Sequence, residues 1–120
     1  MLSLRAWTIA GGALIAGVGL IHLIESPEYF EFATYLGVLF VANFLGAVAA
    51  ALGIYRGAGW GWGLGTLVAG GAFVMYVLSR VLGLPGLPDS EREWLDPLGI
   101  VSLHIEGLFM VLAAWGPEEA

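Results

Sequence analysis

The chain has 120 residues, of which 59% are hydrophobic and only 12% charged, and its mean hydropathy is +0.89. A soluble domain is about half apolar and about a quarter charged, so this much apolar surface cannot be hidden inside a soluble globule of this size. The absence of Cys excludes disulfides, thiolate nucleophiles and Cys-ligated metals. With no Lys there is no Schiff-base or P-loop chemistry, and a net charge of −6 argues against nucleic acid and against a polybasic lipid-binding patch.

Charged residues divide the chain into four long apolar runs, with spans expected at about 6–24, 32–55, 58–82 and 97–115. Each is long enough to cross about 30 Å of hydrocarbon as a helix. The expected fold is all-α: a single transmembrane domain, an antiparallel up-down-up-down four-helix bundle in the lipid bilayer. The opening residues resemble a secretory signal, but the first run is long for one and is read as a retained span.

The first span is expected to end at a short acidic turn, Glu25-Ser26-Pro27-Glu28, with Pro27 opening the second helix. Trp7, Tyr55, Trp60, Trp62 and Trp115 sort to the end of the bundle that holds the termini, and Tyr29, Phe30 and Trp94 to the other, as interfacial belts would. Arg5 and Arg56 balance Arg80 and Arg92 across the membrane. Because the first helix usually sets orientation, the expected location is the inner cell membrane with both termini cytoplasmic. The third connection is the long one: Leu84-Pro85-Gly86-Leu87-Pro88 cannot be regular helix. Ser90 and Glu93 beyond it have capping-box spacing, suggesting one interfacial turn that carries Trp94.

Between helices in lipid, close backbone approach carries the packing. Gly57, Gly61, Gly65 and Ala69 form a small-xxx-small seam on the third span, and Asn43, Gly46, Ala47, Ala50 and Gly53 share one face of the second. The third-span seam continues at helical spacing to Tyr76 and Arg80, so a packing face also delivers a phenol and a guanidinium near the outer end.

Glu106 is the most informative residue. It lies about 15 Å along the fourth helix from Asp96, where a carboxylate costs about 3 kcal/mol and is expected to face the bundle interior with a partner. Arg80 leans toward it and is the expected partner. His22 and Glu25 are i,i+3 neighbours at the outer end of the first helix. Each has an alternative structural reading: a Glu that only locks helices together, a snorkelling Arg, and two polar residues that end a span. His104 is about 200° around its helix from Glu106. A haem between His22 and His104 is the weaker alternative, because their depths differ by roughly 7 Å. No other cofactor or metal is expected.

The stretch Tyr76-Val-Leu-Ser-Arg80-Val-Leu-Gly-Leu-Pro-Gly86, followed by Glu93-Trp94 and by Pro97 through Glu106, resembles a set of small four-span bacterial membrane proteins common in actinobacteria. Ile21-His22-Leu23 and Pro27-Glu28 are similar too. The resemblance implies a Ser-Arg, a Gly-Leu-Pro-Gly turn and a fourth-span Glu, and it brings no established activity. The resulting expectation is a non-enzymatic binding or accessory protein. Its polar pocket would comprise His22, Glu25, Tyr76, Arg80 and Glu106, and would engage a small anionic or amphiphilic ligand or a partner membrane subunit. The alternative is a proton- or ion-coupled small transporter or channel subunit that uses Glu106, assembled as a homo-oligomer or in a larger membrane complex through the Gly57/Gly61/Gly65 face. No nucleophile–base pair is visible for an enzyme.

Overall fold

The computed structural model describes residues 2–118. They form four α-helices and no strand: α1 (Leu4–Phe32), α2 (Thr34–Tyr55), α3 (Gly59–Val81) and α4 (Pro97–Trp115), with one 3-10 turn at Asp89–Glu91. All four helices are long and apolar enough to cross a membrane. Together they make an antiparallel bundle about 47 Å long, in which each helix packs on its sequence neighbours and α4 closes against α1.

The pattern of burial is that of a lipid-solvated bundle. Small or medium residues fill the interior, including Ala47, Ala50, Ala69, Ile15 and Val18, all fully buried. Leu20, Leu45, Leu52, Leu67, Val74, Leu108 and Val111 stay exposed on the outside. In water such a surface would be a severe liability; in hydrocarbon it is the solvent-matched face.

α1 begins at Ser3, whose Oγ accepts the Ala6 N–H (3.1 Å). It does not stop at the expected acidic turn but runs through Pro27 to Phe32. Pro27 has no N–H to give the Leu23 carbonyl. Ser26 Oγ donates to that carbonyl instead (2.8 Å), so the break is satisfied from one residue earlier and the helix continues. The chain then reverses at a single extended residue, Ala33.

α2 ends in a Schellman cap. Ala58 N–H bonds Gly53 O (2.8 Å), Gly57 N–H bonds Ile54 O (3.0 Å), and Gly57 takes φ +76°. Gly57 is therefore a turn residue and not part of the expected seam, and a Cβ there would meet nothing. Gly61 and Gly65 do pack. A Cβ on Gly61 would strike Ile54 N and the Gly53 backbone, and one on Gly65 would enter the Phe109 ring. Gly46 lies against Val68. Gly61 and Gly65 are thus packed within the chain.

Trp7 and Trp62 lie half-buried in the first turns of α1 and α3, at the end that holds the termini. They stack at 3.8 Å, Trp7 Nε1 donates to Leu112 O (2.8 Å), and Trp62 stacks on Phe109. Tyr55, Trp60 and Trp115 remain on the surface. The Ser90–Glu93 capping box does not form: the turn spans only three residues and has no side-chain cap. α4 is capped instead by Asp96, which accepts the Gly99 N–H (3.0 Å) just before Pro97.

Gly61→Ala is expected to cost about 2–4 kcal/mol, because backbone atoms on α2 cannot yield. Gly57→Ala is expected to cost only about 1–2 kcal/mol for its left-handed backbone. Unfolding in detergent, followed by circular dichroism, checks the order of the two.

Candidate functional site

At the end of the bundle away from the termini, a cavity of about 490 Å³ lies between the helices, within the ~300–1,000 Å³ range of small-molecule sites. His22, Glu25, Tyr76, Arg80 and Glu106 all line it, together with Asn43, Ser79 and Ser102. His104 is not among the lining residues. It is exposed on the opposite face of α4 and bonds only its own helix, through Nδ1 and Ile100 O (2.8 Å). The structure therefore does not bring the two histidines of the haem alternative to one site. Among the described residues no cluster of three or more His, Cys, Asp or Glu is arranged to hold a metal.

The walls are apolar: Leu36, Leu39 and Phe40 from α2 face Leu67, Val68, Ala72 and Met75 from α3. α2 and α3 touch backbone to backbone at Gly53–Gly61, and Asn43 Nδ2 reaches Val68 O (3.4 Å) partway along. Beyond that point the cavity occupies the space between them. Its rim residues Leu39 and Ala42 on one helix, and Leu67 and Gly71 on the other, are exposed on the lipid-facing surface.

The connection between α3 and α4 forms the roof. Leu87 is buried against Tyr29 and Leu36, and Leu84 packs beside it. Tyr35 Oη donates to Pro85 O (2.5 Å), and Gly86 sits on Phe32 and Ala33 too closely for a Cβ. Beneath Glu106, Phe109 and the Trp7–Trp62 stack fill the bundle. The cavity thus has a covered end, a plugged floor and a side opening.

Arg80 is only 8% exposed, yet its contacts differ from the expected pairing. Nε donates to Glu93 O (3.0 Å), Nη1 donates to Ser79 Oγ (2.9 Å), and the guanidinium lies 3.8 Å over the Tyr76 ring. Tyr76 Oη in turn donates to Trp94 O (3.0 Å). Among the described residues Arg80 has no carboxylate within ion-pair distance. Glu106, 2% exposed, accepts instead from Ser102 Oγ one turn earlier (2.6 Å). The two charged groups line one cavity without bonding each other. The reason is that the roof carbonyls lie nearer to the guanidinium, and Ser102 satisfies the carboxyl from its own helix. Arg80 therefore fastens the roof, helped by Arg92, which donates to Val81 O (2.9 Å) and Arg80 O (3.2 Å).

The sequence pattern does not single out Tyr29, Asp96 or the roof leucines as lining residues. Asp96 carries a usable signal, an N-cap residue before Pro; Leu84 and Leu87 carry none. Around the roof the charge is mostly acidic. Glu25 and Asp96 line the cavity, and burial, followed by the nearby Glu28 and Asp96, pushes the Glu91 carboxyl above its ordinary range.

Arg80→Met removes one hydrogen bond to the roof, at Glu93 O, one to Ser79 Oγ, and the ring contact. Amide hydrogen exchange over residues 84–95 is expected to speed up about tenfold, the effect of roughly 1.4 kcal/mol of local stability, while exchange in the middle of α1 stays unchanged.

Comparison of the chain with protein-family models, with curated proteins and with solved structures finds no match.

Proposed function

We propose that this is a multi-pass cell-membrane protein that binds an amphiphile drawn sideways from the bilayer, as a non-enzymatic binding or accessory protein. One observation carries the reading: the cavity is covered by Leu84 and Leu87 at its end and has exposed rim residues between α2 and α3. A ligand that reaches such a site passes through hydrocarbon, so it needs an apolar body. The polar groups inside, among them Glu25, Tyr76, Arg80 and Glu106, give it a polar end to be recognised. Glu25 and Asp96 beside Arg80 favour an amphiphile over a simple anion. The aromatic stack below Glu106 favours binding over passage through a single copy.

The arginines support an orientation. Arg80 donates to the Glu93 carbonyl and Arg92 to the Val81 carbonyl, whereas Arg5 and Arg56 are exposed at the other end. On that basis the positive-inside rule favours cytoplasmic termini and an outward roof.

The test is to fill the cavity. A hexadecyl chain carrying a diazirine, incorporated into nanodiscs, should label the inward-facing Phe40, Val68 and Met75. Ala72→Trp should reduce that labelling at least tenfold while the melting temperature stays within a few degrees of the parent. Labelling that is insensitive to Ala72→Trp would sink the proposal.

A further inference from the structure

Resting on that reading, the charges at the covered end of the cavity define the polar end of its occupant. Tyr29 and Glu25 from α1, Arg80 from α3 and Asp96 at the start of α4 all line the cavity. Arg80 uses Nε for Glu93 O and Nη1 for Ser79 Oγ, which leaves Nη2 without a carbonyl or carboxylate acceptor among the described residues. The Tyr29 hydroxyl lies within reach of the guanidinium. Tyr29 is only 8% exposed, and its own hydroxyl hydrogen finds no acceptor among the described residues. Opposite charge is close by and equally uncommitted. Glu25 makes no hydrogen bond through its carboxylate among the described residues, and Asp96 uses only Oδ2, on the Gly99 N–H. Glu25 is near enough for Asp96 and Arg80 both to act on it electrostatically, yet no described carboxylate stands at ion-pair distance from the guanidinium. An unpaired charge in a poorly solvated space is costly, and here three helices hold charges of both signs around a gap. Glu106 lies about 15 Å further along α4 from Asp96 and is bonded to Ser102, so it takes no part at this end.

We infer that the occupant is a zwitterionic amphiphile whose head joins an anionic phosphate to an ammonium by a short linker, as in a bilayer phospholipid. Arg80 Nη2 and the Tyr29 hydroxyl donate to the phosphate oxygens, and Glu25 and Asp96 take the ammonium. A fatty phosphate alone would meet two carboxylates, and a fatty amine alone would meet Arg80; a head with both signs answers both. The chain leaves through the opening between α2 and α3, past Phe40, Ala72 and Met75.

The test sets single-chain competitors against the diazirine probe with the full chain in nanodiscs of phosphatidylglycerol, a lipid that has no ammonium. The competitors are hexadecylphosphoethanolamine, hexadecyl phosphate, hexadecylamine and 1-hexadecanol. The zwitterion should compete about tenfold better than each of the others. Glu25→Gln should bring the zwitterion and hexadecyl phosphate to within about threefold of each other. Tyr29→Phe should weaken both of these about fivefold and leave hexadecylamine unchanged. If either variant fails to assemble, the comparison on the parent protein still decides. Should any of the other three match the zwitterion, the inference is wrong although the cavity still binds amphiphiles. Should none of the four compete, the binding reading itself falls.

Discussion

The structure depends on one close approach. Gly53 and Gly61 let the α2 and α3 backbones touch next to the turn that joins them. In a medium where apolar contact gains little over lipid, such contact is what holds helices together. It also fixes where the helices do not touch. Leu39 and Phe40 opposite Ala72 and Met75 occupy the far half, and the space between them is the cavity. A pocket in a protein this small is thus a by-product of a short, strong contact at one end of a helix pair.

The helices and their approximate limits are legible because four long uncharged runs in so short a chain have no polar partner to bury them and must turn to lipid. The exact reach of α1 is not legible. Pro27 reads as a stop, and only the Ser26 hydroxyl on the Leu23 carbonyl shows why it is not one. The pocket residues stand out as intramembrane polar groups, but their pairing does not. Helical spacing says which way Arg80 and Glu106 lean, and it is silent on the Glu93 carbonyl that the long connection brings back to Arg80. Residue type places Trp7 and Trp62 at one end of the bundle but does not show that they stack on each other, with Trp62 seated against Gly11.

The chemistry of the site follows from the same economy of polar groups. Within hydrocarbon each donor tends to find the nearest acceptor, and here hydroxyls bond carbonyls or carboxyls of their own or a neighbouring segment. The fully buried side-chain atom that remains unmatched among the described residues is Asn43 Oδ1. Arg80 also has an architectural part, with its Nε on Glu93 O and its Nη1 on Ser79 Oγ.

The length of α1 has a consequence for the membrane itself. Its 29 residues make a rod of about 43 Å, some 13 Å longer than a typical hydrocarbon layer. The Glu28 and Glu31 end therefore stands among the lipid headgroups like a post, with the covering loop resting on it. A thicker bilayer would draw the side opening deeper beneath the surface and a thinner one would lift it toward the headgroups. On the proposed reading, lipid access to the cavity is thereby tied to the thickness of the surrounding membrane.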